Sequence, residues 1–290
     1  MNLQKVTTFF SSVWASFFSI VKICFLSKFR SSLKKYKIEP DECCILGNGP
    51  CLSKDLEHNL NFIKSRAKIS VNHFALSEEY ERIKPDYYIL AAPEFWLKDT
   101  TDYHKEMRLK LANNLVDKTN WQMKLFIPFS AKNSGLCNSV IQNKNITIVH
   151  FNVTPIEGLS FISRFLFKIN LGMPRPHNVL IPSIFLSINL GFKKIYIFGA
   201  DHSWHEEIKI DQSNKVTVNH QHFYDKSEQR MPMYKLDGRE YFIHDIFRKL
   251  HLAFKGYFIL KDYSESRGSV ILNASSKSYI DAFLKAKLNN

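Results

Sequence analysis

The stretch Cys43–Leu56, CCILGNGPCLSKDL, passes from a short apolar run through Gly47-Asn48-Gly49-Pro50 into a polar segment with helical spacing. The run reads as a strand, the glycine turn as its end, and LSKDLEHNLNFIK as the helix that follows. The unit then recurs along the chain. AKISV and PDYYILAA are the next strands, with a helical stretch from about Glu94, and QMKLFIPF and NITIVHF follow. IPSIFLSINLG is an apolar helix stopped by Gly191, and KKIYIFG is a buried strand. FIHDIFRKLHLAFKGYFILKDYSESRG is a long helix ending near Gly268, SVILNAS a last strand and SYIDAFLKAKL a last helix. Such alternation predicts an α/β fold: a doubly wound, Rossmann-like, mostly parallel sheet with helices on both faces. The piece Asn152–Asn178, rich in Pro, Gly and Phe, reads as a helical excursion or lid.

The totals agree with a folded enzyme-sized domain. At 290 residues, 45% hydrophobic and 23% charged, the chain can bury a large core. The net charge of +13 is concentrated early: Lys5, Lys22, Lys28, Arg30, Lys34, Lys35 and Lys37 face a single acid, Glu39. No RNA-binding signature, zinc-finger spacing or basic-aromatic platform accompanies it, so nucleic acid is not an expected partner. Five cysteines, an odd number with no C-x-x-C pair, argue against a disulfide framework or a structural zinc and for reduced thiols in the cytoplasm.

Residues 1–40 form a separate amino-terminal unit ahead of a catalytic domain over 41–290. A helix there carries Phe10, Trp14, Phe17, Phe18, Val21 and Phe25 on one face, with Ser12, Ser16, Ser19 and Lys22 largely opposite. The uncharged run Phe9–Val21 is about 20 Å long as a helix, short against a bilayer core of roughly 30 Å. With the basic cluster downstream it predicts an amphipathic anchor on the anionic inner face of the cell membrane. The competing reading is a helix packed on the protein's own core or on a partner subunit.

Several strand ends carry residues suited to chemistry. Gly47, Asn48, Gly49 and Pro50 end the first strand, where open α/β sheets bind ligands. Glycines let backbone approach closely, and the Asn48 amide offers both donor and acceptor. The turn is neither G-x-G-x-x-G nor a P-loop. Asn72 ends the second strand, as a ribose or base ligand or as a helix cap. After Gly199 come Asp201, His202, Ser203, Trp204, His205 and Glu206, which suit acid/base work, metal binding or a solvated loop. No D-x-D pair of metal-holding acids occurs. His220 and His222 alternate in VNHQHFYD, and His244 opens the long helix; imidazole is the side chain best suited to a general base at neutral pH. Asn273 and Ser275 end the last strand, as phosphate ligands or caps.

In order along Cys43–Phe283, these stretches resemble the bacterial sialyltransferases of glycosyltransferase family 42 and, more closely, the domain of unknown function 115 or MptE-like relatives. The resemblance rests on strand-Gly-Asn-Gly-Pro, the later strand-Asn, LGFKKIYIFGAD and strand-NAS-helix. It implies a GT-A-type domain with a lid, a CMP-activated sugar donor, transfer with inversion, no metal or other cofactor, and a homo-oligomer. Asn48 and Asn72 match nucleotide-holding asparagines, and His244 matches the general base best, with His220 and His222 as rivals. His202, Ser203 and Trp204 stand where tyrosines assist the leaving phosphate. The sequence departs from the family at Cys51, at Ala91-Ala92-Pro93 and near Asn178-Val179. The acceptor implied is a surface glycan or glycolipid. The MptE-like branch implies a different reaction, diphosphate transfer from ATP to a hydroxymethylpterin, with magnesium held by Asp201 and Glu206. A third reading is a nucleotide-binding accessory protein without turnover.

Overall fold

The computed structural model describes residues 3–29, 33, 41–219, 230–232 and 239–288. Its centre is an eight-stranded sheet in the order β11-β10-β6-β1-β2-β3-β4-β5, with every pairing parallel. The strands are β1 (Glu42–Leu46), β2 (Ala67–Val71), β3 (Tyr87–Ile89), β4 (Met123–Pro128), β5 (Ile146–Phe151), β6 (Lys194–Phe198), β10 (Val270–Asn273) and β11 (Leu284–Lys285). The chain runs outward from β1 to β5, then returns to β6 on the other side of β1 and runs outward again. The direction of winding therefore reverses between β1 and β6.

Successive residues of β1 serve the two faces of the sheet, as the pleat requires. Cys43 and Ile45 join the core under α7 (Leu180–Leu190) and α8 (Ile243–Ser266). Cys44 and Leu46 join the core under α2 (Leu52–Lys64) and α4 (Asp102–Lys118). Helix α7 is apolar all round because it is buried all round. Its two serines are satisfied within the helix, Ser183 Oγ donating to Val179 O and Ser187 Oγ to Ser183 O, both at 2.7 Å. Two short helices complete the layers, α3 (Glu79–Ile83) and α5 (Gly135–Val140). A small antiparallel sheet of β7 (Ile208–Ile210), β8 (Val216–Asn219) and β9 (Arg230–Pro232) stands apart.

SYIDAFLKAKL is not a helix. Residues 277–283 form bends and irregular backbone that lead into β11, which pairs with β10. Ile280, Ala282 and Phe283 are buried, and Asn273 Nδ2 donates to Ile280 O at 3.2 Å. Burial of these side chains beside β10, with that hydrogen bond, outweighs helical propensity here.

Helix α1 (Leu3–Leu26) sits serine side down. Ser19 Oγ bridges Glu157 N and O, each at 2.9 Å, and Leu159 N donates to Ser16 Oγ at 2.8 Å. Beyond the helix end, Ser27 Oγ donates to Leu171 O at 2.5 Å and pairs with Thr154 Oγ1 at 2.8 Å. Gly158 lets this contact close, since a Cβ there would lie 2.2 Å from Ser16 Oγ. The seat is the Asn152–Asn178 excursion, which also holds α6 (Ser160–Lys168). The apolar face points outward: Phe9, Phe10, Trp14, Phe17, Phe18, Phe25 and Leu26 are all exposed, Phe25 to 83%. By length and apolar composition alone, Lys5–Leu26 meets the requirement for crossing a bilayer.

Candidate functional site

The loops that leave β1 and β6 lie side by side because Leu46 and Phe198 are register partners at the carboxyl ends of adjacent strands. A cavity of about 500 Å³ opens there, at the switch in winding direction, where open α/β sheets bind ligands. Gly47, Asn48, Gly49 and Pro50 line it, with Asn72 after β2 and Gly199, Asp201, His202, Ser203 and Trp204 after β6.

The glycines are used first against protein. Gly47 N–H donates to Phe198 O at 2.8 Å and Gly49 N–H to Gly199 O at 2.9 Å, which welds the two loops. A Cβ on Gly47 would lie 2.4 Å from Gly199 O, and one on Gly49 would lie 2.1 Å from Asp201 Oδ2.

Asn48 and Asn72 line the cavity and carry polar atoms that the protein leaves without a partner. Asn48 Nδ2 donates to Val71 O at 3.1 Å, which leaves its Oδ1 buried without a partner. Asn72 Oδ1 is likewise buried and unpaired. A buried acceptor without a donor costs about 1–3 kcal/mol, so two at one cavity mark a place that a donor-bearing ligand would satisfy. Asn72 is also held at φ +48, a left-handed conformation that Asn tolerates. Tyr88 braces it, its hydroxyl donating to Asn72 O at 2.5 Å while accepting from Ala75 N–H at 2.8 Å.

His202 is the second left-handed residue of the cavity, at φ +52. Its ring packs between Trp204, Phe254 and Tyr257. Burial pushes its pKa down to about 3, so the imidazole is neutral at physiological pH. A chain of hydrogen bonds fixes which nitrogen carries the proton. Leu180 and Ile181 N–H donate to Asn178 Oδ1 at 3.0 and 3.3 Å, which orients that amide. Asn178 Nδ2 then donates to Tyr257 Oη at 2.9 Å, and Tyr257 Oη is paired with His202 Nε2. The buried phenol has no other acceptor among the described residues, so its proton goes to Nε2 and the ring carries its own on Nδ1. Nδ1 bonds to no described residue, and His202 lines the cavity.

Asp201 is buried, and its carboxylate accepts the Cys51 N–H ahead of α2 at 3.1 and 3.2 Å. Glu206 is held by Lys277 Nζ at 2.6 Å and by Tyr279 Oη, which together keep its carboxyl below the usual range. Among the described residues no three His, Cys, Asp or Glu side chains gather as metal ligands do. Behind the cavity, Asp55 of α2 is buried and accepts Gly199 N–H and Ser276 N–H, each at 2.9 Å. This side chain ties α2 to the loops after β6 and β10.

The remaining expected residues are placed elsewhere. Asn273 and Ser275 are buried and do not line the cavity. Ser275 Oγ accepts Ala200 N–H at 3.0 Å and donates to Ile197 O at 3.2 Å. His244 lies at the start of α8, its side chain 77% exposed, and is not part of the cavity wall. His220 and His222 lie outside the described residues. His177 and Lys277, unremarked in the sequence, line the cavity, and burial lowers the His177 pKa. The signal for His177 was its place one residue before Asn178, the side chain that caps α7.

No protein-family model matches this chain, and no curated protein does. Among solved structures it is similar to the Maf glycosyltransferase from Magnetospirillum magneticum AMB-1, with 14% sequence identity and a TM-score of 0.47. That similarity covers 90% of this chain and 35% of the Maf protein, so the chain spans about a third of the length of the protein it matches.

Proposed function

We propose that this protein is a glycosyltransferase that takes a nucleotide-activated sugar, with CMP as carrier, and transfers it with inversion and without a metal. The observation that carries the reading is the pair of unpaired oxygens, Asn48 Oδ1 and Asn72 Oδ1, at the switch-point cavity. Cytosine offers an exocyclic amine and ribose offers hydroxyls, so a cytidine can satisfy both oxygens. Neutral His202, with Nδ1–H as donor, and Ser203 and Trp204 beside it suit the departing phosphate. His177 is the base that the cavity supports best: it lines the wall, and its lowered pKa keeps it unprotonated at neutral pH. His222 is its rival. In the reaction the acceptor oxygen bonds to the anomeric carbon from the face opposite the phosphate. The carbon–phosphate-oxygen bond breaks, its electron pair leaves with the phosphate, and the hydroxyl proton passes to the base. The commitments of Asp201 to Cys51 and of Glu206 to Lys277 and Tyr279 weigh against the magnesium-dependent diphosphokinase alternative.

The same proposal puts the enzyme on the inner membrane surface, with α1 lying in the interface. Ser16, Ser19 and Ser27 bond the polar side of this segment to the protein body, which leaves the aromatic face of α1 exposed along its length to lie in an interface. Calorimetric titration with CMP, UDP, GDP and ATP, with and without magnesium, tests the site. CMP binding that survives chelation and is lost in Asn48→Ala and Asn72→Ala is the expected result. ATP binding only with magnesium would replace this reading with the diphosphokinase.

A further inference from the structure

A second cavity, of about 380 Å³, lies at the carboxyl ends of β3 and β4. Its walls come from the segment after β3, from α4 and from the turn after β4 that leads into α5. Three cations reach it, Lys98, Arg108 and Lys132, and no Asp or Glu lines it. Arg108 is fixed by donation from Nη1 to Leu97 O at 2.8 Å, which leaves further N–H groups of its fork for a ligand. Lys98 and Lys132 have no acidic partner among the described residues. The nearby acids of α4 are committed elsewhere, Asp102 to Lys105 at 2.9 Å and Glu106 to Lys110 at 2.6 Å. Trp96 and Phe129 add partly exposed aromatic rings.

One segment contributes to both cavities. Ala92 and Glu94 line the first, and Trp96 and Lys98 line the second, within one short segment after β3. Cations without counter-charges recognise carboxylates or phosphates. Aromatic rings beside them offer faces on which the apolar side of a sugar ring can pack.

The geometry points to the second cavity as a binding site for an anionic saccharide, seated by Lys98, Arg108 and Lys132 against Trp96 and Phe129. The first cavity lies next along the same sheet edge, so the saccharide is the acceptor, its reacting end directed there. That it is the acceptor rests on the transferase reading above; that an anionic saccharide binds does not.

The test uses the full chain and three probes of equal length: tetragalacturonate, a phosphodiester-linked tetrasaccharide and neutral maltotetraose. Both anionic probes, or whichever carries the right group, should bind at least tenfold tighter than maltotetraose, and more weakly as salt rises. The difference between the two names the group as carboxylate or phosphate. The surface double variant Lys98→Glu/Lys132→Glu should lose at least tenfold in affinity for the anionic probe while keeping wild-type CMP binding and an unchanged melting temperature. Equal binding of all three probes by the wild type, or undiminished anionic binding by the double variant, overturns the proposal. Anionic binding without any CMP binding would sink the transferase reading and leave the second cavity standing.

Discussion

Tyr257 donates its phenolic proton to His202 Nε2 and receives one from Asn178 Nδ2, so an amide at the head of α7 sets the tautomer of a cavity histidine. Tyr257→Phe breaks this chain. It leaves the Asn178 N–H and the imidazole nitrogen buried without partners, at a cost of about 1–3 kcal/mol in stability. Nitrogen-15 spectra of the imidazole should show Nδ1–H in the wild type and a mixture of tautomers in Tyr257→Phe. An unchanged ring spectrum would show that the phenol does not set the proton.

The burial of His202 also makes stability depend on pH. Its pKa is about 3 in the fold against an ordinary 6.5, so the unfolded chain takes up the proton first as pH falls. The stabilisation is complete above 6.5 and drains away between 6.5 and about 3, by at most about 1.4 kcal/mol per pH unit. His150 and His177, also lowered by burial, act in the same direction. Urea midpoints at pH 7, 6, 5 and 4 should fall steeply for the wild type and less steeply for His202→Asn. Parallel slopes in the two proteins would remove His202 as the source.

Asp55→Ala should be among the most damaging single changes in the chain. It strips the acceptor from Gly199 N–H and Ser276 N–H at two strand ends. Two buried donors left unpaired amount to about 2–6 kcal/mol. A loss under about 1 kcal/mol in chemical denaturation would show that water replaces the carboxylate there.

Gly47→Ala places a Cβ 2.4 Å from Gly199 O, a backbone atom that cannot rotate away. The loops must separate, at about 1–3 kcal/mol for overpacking. CMP affinity should fall with stability, because Asn48 moves with its neighbour. Wild-type melting and wild-type affinity together would refute the welded-loop account.

Phe17→Glu/Phe18→Glu puts charges on the outward face of α1 and touches none of its docked serines. Sedimentation with anionic liposomes should be lost while the melting temperature holds. Retained sedimentation would place the membrane contact elsewhere on the protein.

Much of this molecule was legible from one strand-turn-helix unit and its recurrence. Apolar runs of strand length, stopped by Gly47 and Gly199 and followed by helical spacing, determined a wound parallel sheet. They also brought Asn48, Asn72 and the Asp201–Trp204 loop to strand ends. Local pattern suffices there because a strand buried on both faces must be apolar along its length and must end in a turn. Helix α1 was readable as amphipathic for a similar reason, but which face meets the protein was not. The serines bond to backbone groups of residues 157–171 and to the Thr154 hydroxyl, which sequence spacing cannot bring near. Partnership across the fold likewise decided that Asp55 pins two distant loops, that Tyr257 directs His202, and that His177 reaches the cavity while His244 does not. The final segment had helical composition and became the irregular lead into edge strand β11, because burying Ile280 and Phe283 beside β10 outweighs propensity differences of at most about 0.7 kcal/mol per ordinary residue. Periodicity reports which face of an element is apolar; only the packed chain reports what that face, and the polar one behind it, will meet.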